Sequence, residues 1–293
     1  MSTPLRHTVF RSPSQQPRRA KPPVLLLHGF LGRSEQWRRL GPSFATTFGA
    51  DVLAPDLRNH GASPHTNVHT LDLVASDVAA LASRHLVEAN SNEDSKPGSN
   101  FALIGHSHGG KTAMHLALSM PTRVHRLVVV DTTPATYSLG AFKSYFAAMN
   151  KIQGSRVQSY SEADGIMQET VKDRDVRRFL LANLVHATND KKHMHFCVNL
   201  PVLEKALTHP DPFLSTAGFP FHPPSATYDK PCLFIRGTRS DFIKGDREAL
   251  VRQRFPNAEI VDVETGHWVH HEKPREFMDI VVKWWKDMDE RGV

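Results

Sequence analysis

The chain has 293 residues, 40% of them apolar, with a net charge of +6 and a pI near 9.4. That length buries a sizeable core and fits a core α/β domain carrying a smaller appendage. The longest apolar runs, residues 24–27 and 127–130, exclude a membrane-spanning helix, and two cysteines, Cys197 and Cys232, exclude a disulfide framework and point to a reducing compartment. The only tight basic cluster, Arg18-Arg19-Ala20-Lys21, reads as a solvated loop rather than a nucleic-acid surface. The positive field still favours anionic substrates, including acyl groups carried on a phosphorylated cofactor. The N-terminus is Arg-rich with no acid before Glu35, as in transit peptides. Residues 5–10 nevertheless alternate like an edge strand and leave little ahead of the fold, so a cytoplasmic location is expected, with mitochondrial import the alternative.

Taken in order, residues 5–10 predict a first strand and residues 12–23 a Pro-rich turn. Val24-Leu-Leu-Leu-His28 predicts a fully buried strand ending at a Gly-rich loop, His28-Gly29-Phe30-Leu31-Gly32. Ser34 is a plausible N-cap for a helix running through Trp37 to about Phe44. Asp51 to Asp56 is the next strand, followed by a tight loop, Leu57-Arg-Asn-His-Gly-Ala-Ser63. Leu71, Val74, Val78, Leu81 and Leu86 recur at helical spacing over residues 70–88, and residues 90–100, polar and rich in breakers, predict an exposed connection.

Phe101-Ala-Leu-Ile-Gly-His-Ser-His-Gly-Gly-Lys111 joins an apolar run, a Gly-x-Ser-x-Gly frame and a helical pattern. It predicts a strand, a sharp turn and a helix start, with Gly105 and Gly109 removing the Cβ atoms that would clash where strand and helix converge. Ser107 on the turn is the candidate nucleophile. The helix runs from about His108 to Ser119, and residues 126–130 form a strand ending at Asp131. Strand and helix in alternation predict a mostly parallel sheet with helices on both faces, whose reactive groups gather at the carboxyl ends of the strands.

Residues 132–230 break that rhythm, with helical patterns but no convincing strand, and read as an inserted helical cap between core segments 1–131 and 231–293. Phe142, Tyr145, Phe146 and Met149 form one stripe, and Phe179, Leu180, Leu184 and Val185 a second. Each stripe fits the cap's own core, and members of the first also fit an acyl pocket. Residues 232–236 and 259–263 predict the last strands, residues 246–254 a helix, and Pro274 the start of the final helix.

A serine hydroxyl becomes nucleophilic when a histidine, oriented by a third group, takes its proton. His267 follows the last strand in a Gly-flanked loop, late in the chain, and is the candidate base. For the acid there are two candidates. Asp131 closes the strand after the elbow helix. Asp241 lies in the later loop, one residue past the Gly-x-x-Asp position, where Ser240 stands. Asp131 is favoured. The amides of His108 and Phe30 would form the oxyanion hole, with His28 bracing the loop. Lys111, opposed by the helix dipole, predicts a carboxylate partner in Asp56 or Asp131. His106-x-His108, His193-x-His195 and His270-His271 lack the helical spacing and carboxylate of zinc hydrolases, so no metal is expected.

With these motifs placed, together with Gly266-His-Trp-Val-His-His-Glu-Lys-Pro274, the chain resembles the α/β-hydrolase superfamily over nearly its whole length. More narrowly, it is similar to the small esterases of the α/β-hydrolase domain-containing protein eleven and bacterial YbfF type. The resemblance implies an eight-stranded sheet with a helical cap, no cofactor, and hydrolysis of small-molecule carboxylic esters or thioesters. It also favours Asp131, within Asp131-Thr-Thr-Pro134, as the acid. Phe142, Tyr145, Phe146, Met149, His28 and Trp268 are the candidate substrate-binding residues. His108 departs from the pattern, since a methionine is usual there. Epoxide hydrolases and haloalkane dehalogenases share the fold but need a carboxylate nucleophile, which Ser107 is not. An acyltransferase with the same triad and a non-catalytic ligand-binding module remain the rivals.

Overall fold

The computed structural model describes residues 2–12, 21–89, 100–136, 140–186, 190–208 and 225–293. Residues 13–20 of the predicted Pro-rich turn, including Arg18 and Arg19 of the basic cluster, and residues 90–99 of the polar connection lie outside these residues. Strands and helices alternate as β1 (His7–Phe10), β2 (Val24–Leu27), α1 (Gly41–Phe48), β3 (Val52–Pro55), α2 (Leu71–Ala89), β4 (Phe101–His106), α3 (His108–Ser119) and β5 (Val124–Val130). After α4 (Gly140–Ser155), α5 (Tyr160–Met167), α6 (Arg174–Leu181), β6 (Leu184–His186), β7 (Met194–Phe196) and α7 (Leu200–Thr208), the alternation resumes. The last elements are β8 (Cys232–Gly237), α8 (Asp246–Arg254), β9 (Ala258–Val263), α9 (Val269–Glu272) and α10 (Pro274–Glu290).

The main sheet runs β1-β3-β2-β4-β5-β8-β9, with β1 antiparallel to β3 and every other pair parallel. Among the described residues it has seven strands, one fewer than the resemblance implied. Because alternate side chains of a strand point to opposite faces, Leu25, Leu27, Leu103, Leu127 and Val129 pack with Val74, Val78 and Met114 from α2 and α3. Val24, Leu26, Ile104, Val128 and Val130 pack on the other face with Phe44, Phe48, Phe277 and Trp284 from α1 and α10. Strand β4 lies at the middle of the sheet, covered on both sides, which fixes the turn at its carboxyl end.

Three local expectations are corrected. The helix expected to run unbroken to Phe44 is a 3-10 turn, Ser34–Trp37, followed by α1, and Pro42 at the head of α1 forces a new helix start. Ser34 is the first residue of that turn and Arg33 occupies its N-cap without a side-chain cap bond. The segment after Asp131 contains the antiparallel hairpin β6-β7, so Phe179 and Leu180 lie on α6 while Leu184 and Val185 lie on a strand. A three-residue strand is too short to display the period-2 alternation that would reveal it.

At the elbow, Ser107 adopts φ 52 and ψ −114, a conformation non-glycine residues rarely take. A Cβ on Gly105 would lie 2.3 Å from the Gly109 carbonyl oxygen, and one on Gly109 would lie 2.4 Å from the Leu27 carbonyl oxygen. Both obstacles are backbone and cannot swing aside. Gly105→Ala is therefore expected to destabilise the fold by about 3 kcal/mol, read as a lower urea midpoint; an unchanged midpoint would contradict this packing.

Candidate active site

Ser107, Asp131 and the loop after β2 meet at the carboxyl edge of the sheet. The Ser107 amide donates to Val130 O at 3.0 Å, tying the elbow to the end of β5. A Cβ placed on Gly29 would lie 3.4 Å from the Ser107 Cβ, so the His28–Gly32 loop abuts the serine. His267 arrives from the loop after β9. Its carbonyl oxygen is 2.8 Å from His106 Nε2, and the two rings are 4.6 Å apart.

The structure separates the two candidate acids. Asp131 is fully buried, and its Oδ2 lies 2.7 Å from His267 Nδ1. It also accepts from Gly237 N–H at 3.0 Å through Oδ1 and from the Ser240 hydroxyl at 2.5 Å through Oδ2. The three neighbours can all act as donors, which suits a group that only accepts. A carboxylate against Nδ1 places the ring proton there and leaves Nε2 of His267 basic. Asp241 instead stands with its side chain 91% exposed, paired with Lys244 at 2.8 Å, and so does not reach His267. Ser240, at the Gly-x-x position where the common arrangement has its acid, contributes its hydroxyl to Asp131 instead.

Of the oxyanion candidates, neither the Phe30 nor the His108 amide donates to another protein group among the described residues. The Phe30 ring packs edge-on against His108, Phe142 and Phe146 at 5.7, 5.7 and 6.4 Å. His108, the residue unusual for the pattern, has its Nε2 3.3 Å from His69 Nε2. Among the described residues the histidine pairs form no group of three or more side chains that could hold a metal ion. His106 faces His267 and His270, and His108 faces His69.

The substrate-binding candidates divide. Phe146 and Met149 are buried among the apolar side chains of the segment after Asp131, whereas Phe142, Tyr145 and Trp268 are half-buried at its margin. His28 is wholly buried: its Nδ1 meets Gly29 O at 2.8 Å, and its Nε2 accepts from Leu57 N–H at 2.9 Å. With both ring nitrogens committed to backbone, it braces the loop and is not free to touch a substrate. Phe242 was not picked out by periodicity, yet it stacks on His267 at 4.3 Å and 19°. Phe179 packs on Trp268 at 5.4 Å.

Lys111 is almost completely buried, and burial, followed by the positive charge of Arg247, pushes its ammonium down to about 7. Neither carboxylate proposed for it is uncommitted. Asp56 caps Ser34 N–H at 2.7 Å and Ala62 N–H at 2.8 Å, and Asp131 serves the groups named above.

Burial also holds His28, His60, His69, His106, His108 and His270 below the ordinary histidine range, His108 and His270 to about 3. Unfolded histidines titrate near 6.5, so below that pH the unfolded chain binds protons the folded chain refuses. The stability these groups contribute is complete above pH 6.5 and is lost as pH falls below it, for His108 and His270 down to about 3. His108 and His270 are each expected to remove up to about 1.4 kcal/mol per pH unit in that window. Urea midpoints at pH 7.5, 6.5 and 5.5 measure this; a flat profile would contradict the burial.

The seven-stranded sheet, the elbow and the histidine-bearing loop at its carboxyl edge define a hydrolase-type α/β protein. The chain belongs to the α/β-hydrolase family: residues 22–174 match the alpha/beta hydrolase fold. It is 36% identical to an abhydrolase domain-containing protein of Schizosaccharomyces pombe over 89% of this chain and 91% of that one. It is 34% identical to the sn-1-specific diacylglycerol lipase ABHD11 of Xenopus laevis, with 89% and 78% covered, and 31% identical to a probable alcohol acetyltransferase of Saccharomyces cerevisiae, with 89% and 76% covered. A solved marine microorganism esterase shares the fold with a TM-score of 0.79 at 24% identity, over 97% of this chain and 100% of that one. The resemblance drawn from the motifs holds, and the relatives include esterases and lipases. Among the described residues no helix is long and apolar enough to cross a membrane.

Proposed function

We propose that the protein is a serine hydrolase of small-molecule or acyl-chain carboxylic esters or thioesters. The observation that carries this reading is the 2.7 Å contact between buried Asp131 and His267, at the sheet edge where Ser107 sits on its strained turn. In the mechanism, His267 Nε2 takes the Ser107 proton as Oγ attacks the carbonyl carbon. The resulting oxyanion accepts hydrogen bonds from the Phe30 and His108 amides. His267 then passes the proton to the departing alcohol or thiol, and water, activated by the same nitrogen, hydrolyses the acyl-enzyme.

The segment 132–230 acts as a cap in this reading, with Phe142, Tyr145 and Trp268 lining the acyl side of the site. Their partial exposure, beside the wholly buried Phe146 and Met149, supports that assignment. The test is intact-mass labelling by a fluorophosphonate, which reacts with an activated serine. One adduct on folded wild-type protein, localised to Ser107, is expected; absence of labelling by a small alkyl fluorophosphonate would overturn the reading.

The relative described as a probable alcohol acetyltransferase supports a second outcome at the same site, in which an alcohol replaces water in the second step. Product analysis with added alcohol separates the two. Accumulation of a new ester in preference to free acid at alcohol concentrations far below that of water identifies transfer.

A further inference from the structure

Two residues of the core loops, Leu31 and Asn59, adopt left-handed conformations, with φ 56 and 65. Leucine rarely takes that conformation without support. An asparagine from the segment after Asp131 holds each of them. Asn199 N–H donates to Asn59 O at 2.9 Å, and Asn199 Nδ2 to Asn59 Oδ1 at 3.0 Å. Asn183 Nδ2 donates to Leu31 O at 2.7 Å, with Leu180 O also 3.2 Å away. On its other side, Leu31 N–H donates to His60 Nε2 at 3.2 Å, and His60 Nδ1 is 2.8 Å from Arg58 O.

The Asn183 bond is relayed through two peptide planes. In a trans peptide the C=O and N–H point in opposite directions. Leu31 O and Gly32 N–H share one plane, so fixing the oxygen on Asn183 aims the Gly32 N–H, which donates to Gly29 O at 2.9 Å. Gly29 O and Phe30 N–H share the next plane, so fixing that oxygen aims the Phe30 N–H away from it. His28 Nδ1, 2.8 Å from the same oxygen, holds this plane from the core side.

We propose that Asn183 is a positioning residue for the oxyanion hole, setting the direction of the Phe30 amide through Leu31 and Gly32 and thereby making the seating of the cap a condition for transition-state stabilisation. This rests on the reading of Ser107 as nucleophile and Phe30 as oxyanion donor. The cap's role is then chemical as well as steric: a cap that is not seated releases Leu31 O, and the hole loses its aim. Arg33 Nη1, donating to Ala182 O at 3.1 Å, adds a second strut beside the first.

The test compares two ligands sharing one acyl chain. A trifluoromethyl ketone adds to the serine and places an oxyanion in the hole; the matching amide binds without adding. Asn183→Ala is expected to weaken the ketone about tenfold and lower kcat by about the same factor. KM for p-nitrophenyl esters and the affinity of the amide should change less than about twofold. Asn183→Ser, a smaller perturbation, should fall on the same line between kcat and ketone affinity. Equal weakening of ketone and amide, or no change in either, would overturn the proposal. Independently of any variant, hydrogen exchange of wild-type protein carrying a phosphonate adduct should slow together in peptides containing residues 30–32 and 180–184. Slowing in the first alone would overturn it. The fluorophosphonate test keeps the two readings apart: if wild type is labelled and Asn183→Ala is unaltered, the positioning role fails while the hydrolase reading stands.

Discussion

Ser107→Ala is expected to lower kcat for a p-nitrophenyl ester by about 10⁵- to 10⁶-fold, with KM nearly unchanged. In the proposed mechanism the substitution removes the atom that forms the acyl-enzyme but leaves the Phe30 and His108 amides in place, so residual hydrolysis would reflect binding and the oxyanion hole alone. Fluorophosphonate labelling should vanish with it. The strained φ of 52 at this position is met by the surrounding turn and not by the hydroxyl, so stability should move little. A variant that retained more than about a hundredth of wild-type kcat would place the nucleophile elsewhere, since an acyl-enzyme route loses far more.

Asp131→Asn carries the second largest effect, a loss in kcat of about 10⁴-fold. The carboxylate faces the Gly237 N–H, the Ser240 hydroxyl and His267 Nδ1. An amide sets its own N–H groups against at least one of these donors. His267 can restore a hydrogen bond only by moving its proton to Nε2, which removes the base from the serine. Asp241→Asn should leave kcat within about twofold, because that side chain is exposed and joined to Lys244 instead. A larger loss from Asp241→Asn than from Asp131→Asn, in folded proteins with matched thermal midpoints, would reverse the assignment. The comparison also probes Ser240. With one donor to Asp131 removed, Ser240→Ala should lower activity far less than Asp131→Asn does, since Gly237 and His267 still hold the carboxylate.

The fold was legible where patterns are long and local. The run Val24-Leu-Leu-Leu and the frame around Ser107 predicted a buried strand and an elbow that the structure contains, because a doubly covered strand must be apolar throughout and a strand-to-helix reversal needs Gly105 and Gly109. The helix from His108 to Ser119 and the helix starting at Pro274 were readable for the same reason: amphipathic spacing and a terminal proline are properties of neighbouring residues. Pro42 broke the expected first helix, and the hairpin Leu184–His186 with Met194–Phe196 was too short to announce itself.

By itself, then, the sequence determined the alternation of the core strands and helices on either side of the segment after Asp131, the elbow bearing Ser107 and the loop bearing His267, since each depends on residues a few positions apart. Only the tertiary structure shows that Asp131 lies 2.7 Å from His267, 136 residues away, while Asp241 pairs with Lys244. It also decided that His28 braces the loop, that Phe242 stacks on His267, and that Asn183 reaches Leu31 across 152 residues. A hydrogen bond is made or lost over a few tenths of an ångström, and periodicity in sequence assigns a residue to a face without fixing its partner at that scale.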